Sequence, residues 1–268
     1  MIIGNRRLDP DNMAYLMGIL NVTPDSFSDG GRYNSYDKAM TRAEDMILAG
    51  ADIIDVGGES TRPDYTIISD EEEINRVVPI IEGIKKNFDI LIAVDTYKSL
   101  VAEASIVAGA DMINDIWGLK YNNTMADVIA KYDAACCIMH NKVTPAYNEF
   151  VQEVHDELNE SLLLAKKAGI DSNKICIDPG IGFGKTYEMN LQMLNHLESL
   201  KDLGYPILLG TSRKSVIGLT LNAAVDDRLE GTIATTVLGY MKGCRIFRVH
   251  DVSENKRVLK MTEAIYKS

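Results

Sequence analysis

The chain has 268 residues, 46% hydrophobic and 25% charged, a composition of ordinary globular proteins that leaves room for polar groups inside a sizeable core. Its formal net charge of −11 argues against a nucleic-acid or anionic-membrane surface, and an anionic substrate would need a local basic cluster to overcome the overall field. The opening MIIGNRRLDPDN carries no long apolar segment, so no signal peptide is read, and the least interrupted apolar stretch, residues 231–241, is far short of the about 20 residues of a spanning helix.

In chain order, short apolar runs alternate with helical patterns from end to end. The runs occupy residues 14–22, 52–56, 90–94, 112–116, 134–139, 175–177, 206–209 and 245–249. Each is only long enough for a strand, and most are apolar on consecutive positions, as parallel strands buried on both faces require. Helical patterns cover residues 35–50, 71–87, 97–109, 124–131, 150–169, 188–203 and 226–243, and a last one covers 254–266. The second opens with three acids at its positive end, and Ala-Gly pairs ending at Gly50, Gly109 and Gly169 supply stops. Eight such units, with no proline-rich linker, predict an α/β fold: a (β/α)8 TIM barrel forming a single domain over residues 1–268.

Cys136, Cys137, Cys176 and Cys244 lack CxxC spacing and read as buried free thiols. The stretch GIGFGKT at residues 180–186 resembles a phosphate-binding P-loop, but Pro179 stands where the first glycine belongs, so nucleotide hydrolysis is set aside.

Polar residues collect after the runs, on what becomes the catalytic face of a barrel of this class. Asn21, Asp95, Asn114, Asp178, Lys214, Arg248 and His250 are therefore expected at one mouth. Asp55, Thr96 and Asp115 read equally well as residues that cap helices or satisfy backbone groups. Arg62, Arg213, Lys214, Arg248 and His250 would form the basic cluster, suited to phosphate or pyrophosphate. Asn114 and Asp178 suit the edge of a flat heterocycle, since an ionised carboxylate accepts two parallel hydrogen bonds from a guanidine-like amino-pyrimidine. His155 and His196 lie in helical patterns and read as surface residues, while His140 is balanced between site and structure.

On these residues the chain resembles the dihydropteroate synthase family nearly end to end. The matching motifs are GILNVTPDSFSDG at 18–30, GGESTRP at 57–63, Asn114-Asp115, DPGIGFG at 178–184, Ser212-Arg213-Lys214 and RVHD at 248–251. The resemblance implies condensation of 6-hydroxymethyl-7,8-dihydropterin pyrophosphate with p-aminobenzoate, releasing pyrophosphate. It further implies folate synthesis in the cytoplasm, a Mg²⁺ cofactor held near Asn21, a homodimer and sensitivity to sulfonamides. By that likeness Asp95, Asn114, Asp178, Lys214 and Arg248 bind the pterin. Asn21, Thr61, Arg62, Arg248 and His250 hold the pyrophosphate. Phe27, Thr61, Pro63, Phe183, Ser212 and Lys214 form the p-aminobenzoate pocket. Two positions depart from the family pattern: Asp64 replaces the usual glycine, and the fifth loop lacks Arg-Gly after Met139-His140.

The expected chemistry is SN1-like, because departure of pyrophosphate leaves a cation delocalised into the electron-rich ring. Lys214, Arg248 and His250 are catalytic candidates beside Asp95, which is expected to stabilise that cation. Loops 23–34 and 59–69 are expected to close after pyrophosphate binds, giving ordered binding with the pterin first. A corrinoid-serving pterin methyltransferase, a non-catalytic pterin-binding module and a Schiff-base aldolase built on Lys214 are the alternatives. In the aldolase reading, the neighbouring Arg213 would lower the lysine pKa.

Overall fold

A computed structural model describes residues 1–23, 32–59 and 67–268, the side chains of residues 32–34 excepted. Eight parallel strands close into a barrel: β3 (Tyr15–Asn21), β4 (Ile53–Gly57), β5 (Leu91–Asp95), β6 (Met112–Asp115), β7 (Ala135–Met139), β8 (Ile175–Asp178), β9 (Ile207–Leu209) and β10 (Cys244–Val249). The eight predicted apolar runs match these strands to within about two residues at each end, a normal uncertainty for element boundaries. Closure pairs β10 with β3, Val249 aligning with Gly18. Around the barrel run α1 (Arg32–Leu48), α2 (Asp70–Asn87), α3 (Ser99–Ala108), α4 (Met125–Lys131), α5 (Phe150–Ala168), α6 (Tyr187–Asn195), α7 (Ser215–Leu221), α8 (Leu229–Met241) and α9 (Val252–Tyr266).

Local chemistry sets the helix ends. Ser69 caps α2 by accepting from the Glu72 N–H, four acids fill its first turn, and Lys85 and Lys86 fill its last. The predicted stops hold at Gly109 and Gly169, both left-handed, with φ of 116° and 87°.

Three features depart from the pattern reading. A two-residue hairpin, β1 (Ile2–Ile3) with β2 (Arg6–Arg7), precedes the barrel. Its Ile3, together with Leu8, packs into the barrel interior beneath Tyr15, Met17, Leu91 and Leu208, so the hairpin plugs the floor. The helix expected over 188–203 stops at Asn195 and continues as 3-10 turns over Leu197–Leu203, where buried Leu197 and Leu200 stand at the three-residue spacing of that geometry. Helix α7, seven residues that follow β9, is absent from the predicted elements.

Strand parity separates two cores. Along each strand alternate residues divide: on β3, β4 and β5 Met17, Ile53 and Ala93 fill the barrel, while Leu16, Ile54 and Val94 face the helices. Cys137 and Cys176 belong to the first set and Cys136 and Cys244 to the second; all four are buried and unpaired.

Candidate active site

The same parity decides which polar groups enter the mouth. One layer is built by register, with Asn21 beside Gly57, Gly57 beside Asp95, and Asp95 beside Asn114. Asp55 lies one layer deeper, aligned with Ile19 and Ala93. Because the barrel closes, Arg248 on β10 reaches both acids. Its Nε donates to Asp55 Oδ2 at 2.5 Å and its Nη2 to Asp95 Oδ2 at 2.6 Å. Asn114 Nδ2 donates to the same Asp55 oxygen at 3.2 Å.

Asp55, Asp95, Asn114 and Asp178 are all buried. Burial pushes Asp95 up to about 7; Arg248 opposes that shift and the Asp55 carboxylate adds to it. Among the described residues, Oδ1 of Asp55 and Oδ1 of Asp95 are buried with no hydrogen-bond partner, a costly arrangement that a bound ligand can relieve.

Opposite this group stands a second one. Asp178 Oδ1 accepts from the Gly180 N–H at 2.7 Å, and burial raises its pKa against the pull of Lys214. Lys214 donates to the Ile181 carbonyl and lies 4.7 Å from the Phe183 ring centroid. Burial lowers Lys214 to about 8, with Asp178 opposing and Arg248 assisting. Ser212 Oγ sits 2.9 Å from His250 Nδ1 and accepts from the His250 backbone N–H at 3.1 Å. Ser212 Oγ can donate to Nδ1, the arrangement that puts the ring proton of a neutral His250 on Nε2.

Six expected residues thus gather here: Asp95, Asn114, Asp178, Lys214, Arg248 and Phe183, with Asn21 and the Ser212–His250 pair at the rim. Phe27, Thr61, Arg62, Pro63 and Asp64 lie outside the described residues, as does most of the two loops expected to close. Arg213 does not join the group. It adopts a left-handed backbone (φ 59°), held by Thr232 Oγ1 on its N–H and Arg228 on its carbonyl, and its side chain forks onto Asp251 at 3.0 and 2.5 Å. The cation that lowers the Lys214 pKa is Arg248 rather than its neighbour in sequence.

Asp55 joins the mouth through Arg248 and Asn114, and its parity with Ile53 and Gly57 was the signal for that position. Asp115 faces outward and binds the backbone N–H groups of Trp117 and Leu119 at 2.9 and 2.7 Å, a purely structural role. Thr96 likewise accepts from the Lys98 N–H. The described mouth is therefore not a basic cluster: Lys214 and Arg248 face Asp55, Asp95 and Asp178.

The family described as pterin binding enzyme matches residues 17–250. A dihydropteroate synthase from Clostridium beijerinckii is 57% identical over 266 residues, covering 99% of each chain. Among solved structures, a dihydropteroate synthase from Clostridium difficile, determined in the presence of pteroic acid, superposes with a TM-score of 0.96 at 52% identity, covering 98% of this chain and all of that one. One from Xanthomonas albilineans with 4-aminobenzoic acid gives 0.93 at 40% identity, covering 97% and 96%. With the acid-lined barrel mouth in place and the match running through every strand that builds it, the chain belongs to the pterin binding enzyme family, in its dihydropteroate synthase branch.

Proposed function

We propose that this mouth condenses 6-hydroxymethyl-7,8-dihydropterin pyrophosphate with p-aminobenzoate, giving 7,8-dihydropteroate and pyrophosphate for folate synthesis. The observation that carries the reading is the pairing of a heterocycle-reading group, Asn114 and Asp178, with the Asp55–Arg248–Asp95 bridge beside it. Asp178 accepts from the amino-pyrimidine edge, Asn114 reads the opposite edge, and Lys214 and Arg248 border the ring. Phe183, Ser212 and Lys214 form the described side of the p-aminobenzoate pocket.

In the reaction, the bond from the pterin methylene to the pyrophosphate oxygen breaks, and its electron pair leaves with pyrophosphate. The cation delocalises into the ring, where the Asp95 carboxylate faces it in a medium of low dielectric. The neutral arylamine attacks the methylene, a carbon–nitrogen bond forms, and the ammonium proton passes to water or to the released pyrophosphate. No strong general base is needed. In the ligand-free geometry Nε and Nη2 of Arg248 point at Asp55 and Asp95, so contact with pyrophosphate falls to Nη1 or to Nη2 released from Asp95. His250 Nε2–H and Arg62 complete that grip.

The donors also fit Mg²⁺. Among the described residues, no group of three His, Cys, Asp or Glu side chains forms a cage, but Mg²⁺ commonly keeps its waters and takes one or two protein oxygens plus phosphates. A Cβ on Gly57 would stand 3.3 Å from Asn21 Oδ1 and 3.7 Å from Asp95 Cβ, so the glycine keeps open a space flanked by hard oxygen donors. Asn21 would hold the ion, which supplies charge neutralisation on the pyrophosphate when bound.

The test is pyrophosphate release on mixing both substrates, with and without Mg²⁺. Release should equal dihydropteroate formed and should need p-aminobenzoate; no release with both substrates and Mg²⁺ present would overturn the reading.

We further propose that the whole chain acts as one barrel domain in the cytoplasm, and as a homodimer. Four buried, unpaired thiols suit a reducing compartment. Exposed Leu191 of α6, Leu219 and Leu221 of α7 and Met241 of α8 lie on helices that pack against one another, and a second copy covering them would remove this apolar surface from water. Sedimentation equilibrium should report twice 29.6 kDa; a monomer at micromolar concentration would reject the dimer.

A further inference from the structure

The segment that carries Phe183 is braced from behind by a buried polar chain. Gly180 and Gly184 are left-handed, with φ of 68° and 56°, and a Cβ on either would collide with the carbonyl oxygens of His140 and Lys142 respectively. The loop is thus pressed against the exit of β7, and its carbonyls need partners there. Lys185 provides them. Its Nζ donates to the Gly180 carbonyl at 2.9 Å and to the Phe183 carbonyl at 3.0 Å, and its third partner is His140 Nδ1 at 2.8 Å. Burial lowers the Lys185 pKa to about 7, with Asp178 opposing; in its ammonium form it has three protons, and each has an acceptor.

That geometry fixes the imidazole. Nδ1 must accept, so Nε2 carries the proton and donates to Glu157 Oε2 at 3.1 Å, while Glu157 Oε1 receives Lys142 Nζ at 2.8 Å. Burial, with Lys185 assisting, lowers the His140 pKa to about 2, consistent with a neutral ring. Tyr147 donates its hydroxyl proton to the Gly184 carbonyl at 2.9 Å, holding the far end of the loop. On the other side of the same loop, Lys214 donates to the Ile181 carbonyl and lies over the Phe183 ring.

We propose that Lys185, with His140 as its acceptor, is a positioning residue for the p-aminobenzoate half of the reaction, setting the Phe183 ring and the Ile181 carbonyl that in turn place Lys214. The proposal rests on the assignment of Phe183 and Lys214 to the p-aminobenzoate pocket. It also gives the fifth loop a part in the site: its first residue, His140, is the brace, and Lys142 extends the chain to Glu157. Asn114 lies on β6, and Asp178 closes β8 just ahead of the braced turn with its carboxylate held by the Gly180 N–H rather than by Lys185, so loss of the brace should fall more heavily on p-aminobenzoate than on the pterin.

The experiment compares Lys185→Met with two His140 variants of nearly equal size. Asn places an oxygen near the position of Nδ1 and keeps an acceptor for Lys185; Gln places its polar group near Nε2 and keeps only the Glu157 contact. Lys185→Met and His140→Gln should raise the KM for p-aminobenzoate about tenfold, while calorimetric affinity for dihydropterin pyrophosphate changes by less than about threefold. His140→Asn should stay within about threefold of wild type in both. If Lys185→Met fails to fold, the two histidine variants decide the matter alone. Equal behaviour of Asn and Gln, or equal losses for both substrates, would overturn the brace. Failure of the underlying reading is separately visible, because the wild type would then release no pyrophosphate with p-aminobenzoate.

Discussion

Asp178→Asn is expected to weaken binding of dihydropterin pyrophosphate by at least about a hundredfold, from the loss of two charge-assisted hydrogen bonds worth roughly 1.5–3 kcal/mol each. The carboxylate is buried, and its Oδ1 already accepts from Gly180, so it can turn only acceptor capacity toward the ligand. An asparagine keeps the Gly180 contact through its own oxygen and presents an NH2 group where the pterin edge also donates. The loop should therefore persist while the heterocycle is rejected. Lys214 loses the carboxylate that raises its pKa and should titrate lower than about 8. Calorimetry with the pterin substrate is the measurement, and unchanged affinity would remove Asp178 from the edge-reading role.

Asp95→Ala should leave pterin affinity within about tenfold of wild type and lower kcat by about a hundredfold, since it removes the negative charge that faces the developing cation. The pH dependence gives a sharper test. Asp95 rises from its ordinary 3.8 to about 7, so the free enzyme loses the active carboxylate as pH falls through about 7. Wild-type kcat/KM should then drop about tenfold per pH unit on the acid side, and Asp95→Asn should lack that limb. A raised carboxylate pKa also means that the folded state binds the proton more tightly than the unfolded one. The stability it contributes is present below about pH 4 and is lost as pH rises toward about 7. Asp95→Asn should accordingly gain thermal stability relative to wild type between those pH values. A melting-temperature difference that stays constant with pH would show that Asp95 does not titrate there.

Strand identity was legible because runs such as 90–94 and 134–139 are apolar on consecutive positions, which only strands buried on both faces need to be. The address of the site was legible because polar residues follow those runs, and parity along each strand puts Asp95, Asn114 and Asp178 on the inside. Asp55 was within reach of the same argument, since it shares parity with Ile53, yet its reading as a backbone cap weighed equally until its partner was known. That partner, Arg248, is 193 residues away.

Neighbours in sequence misled for the opposite reason. Arg213 adjoins Lys214, but a left-handed backbone turns its side chain onto Asp251, so two adjacent cations serve different ends. The fifth loop looked like a departure from the family, and its His140 proves to touch Lys185, 45 residues on, across the β7–β8 exit. The two-residue strands of the floor hairpin were too short for any period to announce them.

By itself, the sequence determined that eight strands would alternate with helices, and that their carboxyl ends would carry the polar residues, because strand and helix periods are local properties. Only the tertiary structure decided the pairings: Arg248 between Asp55 and Asp95, Lys214 over the Phe183 ring, Lys185 against His140. Those depend on barrel closure and on backbone turns that no local period encodes. The mouth first expected as a basic cluster is instead, among its described residues, a set of buried acids, two of them bridged by Arg248, with Lys214 near Asp178.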